Sequence, residues 1–166
     1  MEEQRPPTSP YRRAMRWLGR KSWFAAIGRR LSPFDAWLYR RSNGRLGITG
    51  PGGAVYPAML LTTTGRRTGR RRTTPVMYLS DGPKLIISCE NFGQQRAAAW
   101  PFNLDADPRA EVQIGSRLAT YVARRATAQE IERYWPRFLQ IWPAHESYLS
   151  RSGVRKMFVL EPSPPS

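Results

Sequence analysis

The chain of 166 residues is long enough for one domain with a real core and too short for two. Its 40% hydrophobic and 11% aromatic content exclude disorder over most of the length, and 27 Lys+Arg against 12 Asp+Glu leave a formal charge of +15. That charge points to an anionic partner: nucleic acid, an acidic membrane, or a phosphorylated or carboxylated small molecule.

Arginine supplies nearly all the positive charge, with lysine only at Lys21, Lys84 and Lys156, which favours planar, bidentate oxyanion contacts. The one histidine, His145, excludes a multi-histidine metal site. The one cysteine, Cys89, excludes an intrachain disulfide and fits a reducing compartment; in its apolar run it reads as a buried, inert thiol.

Residues 1–10 read as a polar, proline-bearing tail. Residues 11–31 form a basic amphipathic segment, with Arg12, Arg16 and Arg20 on one side of a helix and Ala14, Met15 and Leu18 on another, weakened by Gly19 and Gly28. Two readings stand: a helix lying on an anionic membrane with Trp17, Trp23 and Phe24 at the interface, or a helix packed on the domain with its bases in water. No secretory signal is visible, and the uncharged stretch 46–65 is broken by glycines, Pro51 and Pro57, so the expected location is cytoplasmic, with peripheral contact on the inner face of the plasma membrane left open. Pro33, followed by Phe34, Trp37, Leu38 and Tyr39, predicts the start of a second, short helix ending before Asn43-Gly44, and 44–53 then form a loop.

Residues 60–82, LLTTTGRRTGRRRTTPVMYLSDG, organise the rest of the chain. A strand over 58–63 runs into Gly65 and a tight loop that carries Arg66, Arg67, Arg70, Arg71 and Arg72 around Thr68 and Gly69. A second strand follows over 73–79. Glycines supply the turn and let backbone amides face an anion while guanidinium forks grip its oxygens. The loop reads either as a phosphate or polycarboxylate clamp or as a solvated basic turn.

Asp81-Gly82 turns the chain into a strand over 84–89, and Asn91-Phe92-Gly93 ends it. A short helix over 96–105 holds Trp100, with Pro101 in its first turn; strands follow over 110–114 and through Tyr121-Val122 towards Ala126. Thr127 and Glu130 make a capping box for a helix with Ile131, Tyr134, Trp135, Phe138 and Leu139 at core spacing. A helical piece over 144–150, a strand over 156–160 and a frayed end from Glu161 complete the chain. This order lacks the alternation of a doubly wound fold; an α+β, mostly antiparallel barrel of about six strands with flanking helices suits it best. The organisation is a tail (1–10), the basic segment (11–31), the barrel domain (32–162) and a tail (163–166).

Familiar mechanisms fail. There is no G-x-G-x-x-G, no lysine followed by Ser/Thr in the arginine loop, and no G-x-S-x-G elbow. His145, Glu146 and Ser147 are neighbours on a helix, point apart and make no triad. An anion clamp, many aromatics and no acid–base pair suit an enzyme whose cofactor carries the chemistry.

Those residues resemble the deazaflavin-dependent nitroreductase family, the actinobacterial quinone reductases that use coenzyme F420. The likeness runs from the arginine hairpin through ISCENFGQQRAAAWPFNLDADPRAEVQIG and ATAQEIERYWPRF to the closing MFVLEP, over about 34–162 without a large insertion. It implies a split β-barrel that binds F420, with FMN the lesser alternative. Arg66, Arg67, Thr68, Gly69 and Arg72 would hold the phosphate and acidic tail. Pro75, Val76 and Met77 would lie along the ring, and Ser88, Asn91, Trp100 and Asn103 would form the other wall. A proline inside a strand forfeits a ladder bond, as expected where pairing yields to a ligand. Tyr148, with Trp142 and His145, would face the substrate.

The sequence departs from the family pattern at Glu90-Asn91-Phe92-Gly93, where many relatives carry a serine, then Asn or Lys and two glycines, and at Trp142 and His145, where reductases of the family often carry tyrosines. The leading expectation is hydride transfer from reduced deazaflavin to a quinone, nitroaromatic or activated enone, with His145 or Tyr148 as proton donor. A non-catalytic cofactor, lipid or fatty-acid binder of the same fold, associated with membranes through 11–31, is the second reading. Nucleic-acid binding ranks last, because the aromatics fall at core spacing. Oligomeric state is not legible.

Overall fold

The computed structural model describes residues 14, 17–18, 21–43, 46, 56–90, 93–94 and 98–163. Arg12, Arg16, Arg20, Asn91, Phe92 and most of the 44–53 loop fall outside them. In chain order the elements are α1 (Ser22–Arg41), β1 (Ala58–Thr64), β2 (Arg71–Asp81), β3 (Lys84–Cys89), α2 (Ala99–Ala106), β4 (Arg109–Ile114), β5 (Arg117–Arg125), α3 (Ala128–Ile141), α4 (Ala144–Ser152) and β6 (Lys156–Pro162). The six strands close into an antiparallel barrel in the order β1-β2-β3-β6-β5-β4, with helices outside it: the expected α+β split barrel.

Strand alternation divides the apolar residues into two layers. Met59, Leu61, Leu85, Ile87, Val112, Phe158 and Leu160 point into the barrel, where Trp100 and Leu104 of α2 join them. Leu79, Ile86, Met157 and Val159 point outward and are covered by Tyr134, Phe138 and Ile141 of α3. Both faces of β3 and β6 are therefore buried, which is why their sequences read as nearly continuous apolar runs. Cys89 is buried, as expected.

The split lies along one edge of β2. That strand pairs with β3 only from Tyr78 opposite Ile87 to Asp81 opposite Lys84, whereas Arg71–Met77 pair with β1 alone. Pro75 stands in this half-paired stretch, where a missing amide donor costs the sheet least.

Two expectations are corrected. The helix expected to begin at Pro33 is the continuation of α1, which runs unbroken through Pro33 and across residues 31 and 32. Tertiary contacts hold that end: Ala36 and Tyr39 pack on Leu60, the Tyr39 hydroxyl donates to the Ala58 carbonyl (3.1 Å) and accepts from the Gly115 amide (3.0 Å), and Arg40 donates to Thr73 (3.0 Å). Pro33 is itself exposed, so the carbonyl one turn back that loses its amide can be solvated. The end expected to fray at Glu161 is instead strand as far as Pro162, because Tyr121 and Val122 of β5 pair with Pro162 and Glu161 and the Ser163 amide donates to the Thr120 carbonyl (2.9 Å).

Candidate active site

The unpaired half of β2 opens a cavity of about 220 Å³ between that strand, the end of β3 and the helices α2 and α4. Thr74, Pro75, Val76 and Met77 form one wall; Ser88, Cys89, Glu90, Ala98 and Trp100 form the facing one, and Trp142, His145, Tyr148 and Tyr56 close the end. Of the wall residues expected from the sequence, Pro75, Val76, Met77, Ser88 and Trp100 meet here; Asn91 lies outside the described residues. Trp100 is both wall and core, 6% exposed and tilted against Phe158 at 5.8 Å between ring centres.

Asn103 is not on the wall. Its buried side chain donates to Thr63 Oγ1 (3.0 Å) and accepts from the Arg66 amide (3.1 Å), tying the arginine loop to β1 from behind. Its amide is spent on the Thr63 hydroxyl and on a backbone N–H that needs a partner.

The loop is a tight turn closed by Gly65 N–H to Arg70 O (2.8 Å) and Gly69 N–H to Gly65 O (2.7 Å), with Gly69 at φ 65°. Alanine at Gly65 would bring its Cβ to 3.0 Å from both Arg70 O and Thr68 Oγ1. Arg66, Arg67, Thr68, Arg70 and Arg72 are exposed. Arg71 pairs with Glu111 (2.9 Å), but Arg66, Arg67, Arg70 and Arg72 have no carboxylate partner among the described residues. Unneutralised cations therefore stand at the head of the strand that lines the cavity. Phe102 adds a feature that sequence reasoning missed: Arg66 lies over its ring at 4.9 Å and Lys156 at 3.7 Å, so β6 contributes a further cation beside the loop. Only the register that sets Lys156 opposite Cys89 reveals it.

At the closed end, Trp142 tilts against Tyr56 (5.2 Å), and Tyr56 and Met77 pack against the cluster of Trp142, Ala144 and Tyr148. Burial pushes the Tyr56 phenol well above its ordinary range, reinforced by Tyr148 and Asp35, so it enters any chemistry as a neutral hydroxyl. The glutamate that interrupts the family pattern is paired within the cavity wall: Ser88 donates to Glu90 Oε1, and Glu90 Oε2 meets His145 Nδ1. His145 thus finds its carboxylate 55 residues away rather than at Glu146. No cluster of metal-ligating side chains occurs among the described residues.

An apolar slot beside a stretch of strand edge with only one partner, headed by unpaired arginines, suits a flat heteroaromatic ring carrying an anionic tail. Comparisons with known proteins agree. The family model of the F420H(2)-dependent quinone reductases matches residues 32–162. An F420H(2)-dependent quinone reductase of Mycobacterium tuberculosis (strain H37Rv) is 32% identical over 127 residues, covering 76% of this chain and 77% of the relative. Among solved structures, an F420-H2 dependent reductase aligns with 27% identity over 63% of this chain and 94% of its own, at a TM-score of 0.58. A structure described as a domain-swapped dimer aligns with 26% identity over 78% and 100%, also at 0.58. The chain belongs to the F420H(2)-dependent quinone reductase family, and with it to the oxidoreductases whose cofactor is the deazaflavin F420.

Proposed function

We propose that this chain reduces a quinone with F420H2, and that nitroaromatics and activated enones are alternative acceptors of the same slot. The observation that carries the reading is the juxtaposition of the unpaired half of β2 with the unneutralised loop at its head. Bound F420H2 supplies the hydride. Arg66, Arg67 and Arg72, with the Thr68 hydroxyl, hold the phosphate and acidic tail as charge-assisted contacts, while Gly69 supplies the turn that presents them. Pro75, Val76 and Met77 support the ring, and Ser88 and Trp100 bound it opposite. Trp142, Tyr148 and His145 stack and orient the acceptor and exclude water; His145 and Tyr148 are the side chains assigned to the proton transfer.

Titration of the purified protein with F420, read by tryptophan quenching and cofactor fluorescence, tests this. Micromolar-range binding is expected. Arg67→Ala and Arg72→Ala should each weaken it about tenfold or more, as loss of a charge-assisted contact would. Unchanged affinity in both variants would sink the clamp assignment, and a chain that binds F420 without reducing any quinone would be a binder of the same fold.

A second reading concerns location. The α1 face opposite the barrel exposes Trp23, Ile27, Leu31, Phe34 and Trp37 along one stripe, flanked by Arg30 and Arg41. We read it as a peripheral contact with an anionic membrane, in which an apolar quinone would be dissolved. No described helix is long and apolar enough to cross a bilayer.

A further inference from the structure

Glu90 is 2% exposed and His145 7%, and both line the cavity. Ionisable groups persist at such depth when paired, and here the pairing has a direction. Ser88 gives its one proton to Glu90 Oε1, and a carboxylate accepts only, so the proton between Glu90 Oε2 and the ring belongs to His145 Nδ1. The rings of Trp135, Phe138 and Tyr148 stand edge-on to the imidazole at 6.1, 5.5 and 6.1 Å and fix its plane. The other ring nitrogen, Nε2, is buried and has no hydrogen-bond partner among the described residues. Among the described residues, Glu90 is the one charged group hydrogen-bonded to the ring. The Tyr148 phenol belongs to the adjacent aromatic, and Arg151 and Arg155 stand against Tyr148 and Trp135 at 5.4 and 4.8 Å from the ring centres.

We propose that Glu90 is a positioning residue: it holds a proton on Nδ1 of His145, so that Nε2 is the atom exchanging a proton with the acceptor. This rests on the reductase reading above and chooses His145 over Tyr148 as donor. A quinone reduced by hydride gains two electrons and one hydrogen, and needs one further proton. That proton leaves Nε2 of the doubly protonated ring as the N–H bond breaks and the quinone O–H bond forms. The ring is left neutral, with its lone pair on Nε2 and Nδ1–H still on the Glu90 carboxylate. Water returns the proton after the product leaves. The Glu90 carboxylate is thereby engaged by Ser88 and His145, and Tyr148 is a stacking surface.

Because His145 is the only histidine, ¹⁵N-histidine labelling reports this one ring without assignment and without cofactor. In the wild type the neutral ring should carry its proton on Nδ1 with a bare Nε2. Glu90→Gln should move the signals of both nitrogens, and Ser88→Ala should move them in the same direction by less. The opposite tautomer in the wild type, which needs no variant to observe, overturns the proposal, as does an unchanged spectrum in Glu90→Gln. With F420H2 and a short-chain naphthoquinone, Glu90→Gln should lower kcat on the order of 100-fold with F420 affinity and quinone KM little changed, and Glu90→Asp should recover part of it. A rise in KM at constant kcat would instead make Glu90 a binding residue and overturn the assignment. Should the wild type itself fail to bind F420 or reduce quinone, the reductase reading falls and the proton role with it; that case is recognised because the ring spectra still show the Glu90-directed tautomer.

Discussion

Asn103 shows what a single buried amide can do for a distant loop. It is 3% exposed, and its two hydrogen bonds join α2, β1 and the first residue of the arginine turn. Asn103→Ala removes both at once and leaves the Arg66 amide and Thr63 hydroxyl to find other partners, at a cost of about 1–3 kcal/mol. A lowered Tm in thermal unfolding and a weaker F420 affinity are expected together, although Asn103 touches no part of the slot. A fall in Tm with full affinity would show that the loop holds its shape without this tie. The sequence made the residue types of the slot readable because Pro75, Trp100 and the glycine–arginine turn carry local geometric demands. It concealed the partnership of Glu90 with His145, since the two come from the residue after β3 and from α4 and meet only after the barrel closes. Tyr56 was hidden for the same reason: nothing beside it in the chain announces that it ends against Trp142.

At the scale of elements, α3 has the most explicit signal in the chain. Thr127 accepts from the Glu130 amide (3.2 Å), and Glu130 accepts in return from the Thr127 amide (2.8 Å), as the spacing predicts. What the spacing does not reveal is that the same carboxylate takes a bidentate fork from Arg124 at the end of β5 (2.8 and 2.7 Å). Chiefly through that fork, and then through the Thr127 amide, the Glu130 carboxyl is held down at about 2 from its ordinary value of 4.5. A carboxyl depressed on folding stabilises the native state fully above its unfolded value, and that contribution fades as the pH falls from about 4.5 towards 2. Wild-type Tm should therefore drop in this window, and Glu130→Gln should flatten the drop while lowering Tm at neutral pH. Parallel acid profiles for the two proteins would mean that other carboxylates set the acid limit. The same scale explains the misreading of α1. Pro33 is a sound local signal for a helix start, yet the Tyr39 and Arg40 contacts to β1, β2 and the β4–β5 turn lie far from it in sequence and keep the helix continuous.

For the whole molecule, the barrel and the charge balance were legible because both are sums over many residues. The way α1 is used was not, because periodicity cannot say which of two apolar faces a helix will bury. The structure spends Ala36 and Tyr39 on β1 and leaves Trp23, Phe34 and Trp37 at 55%, 58% and 58% exposed on the other side. Side chains so exposed contribute little to the folded domain, whereas burying each in a lipid interface gains about 1.5–3 kcal/mol at full burial. The triple substitution Trp23→Ser, Phe34→Ser, Trp37→Ser should therefore leave Tm nearly unchanged and abolish co-sedimentation with vesicles containing anionic lipid. Attraction of a +15 chain to a negative surface weakens as salt screens it, so electrostatic adhesion alone would be lost in high salt for both proteins. A wild type that stays bound in high salt, beside a variant that does not, would locate the contact on the α1 stripe. Equal binding by both at every salt concentration would reject the membrane reading of that face, and a shift of the wild type alone to a dimer in sedimentation would assign the stripe to a second copy of the chain.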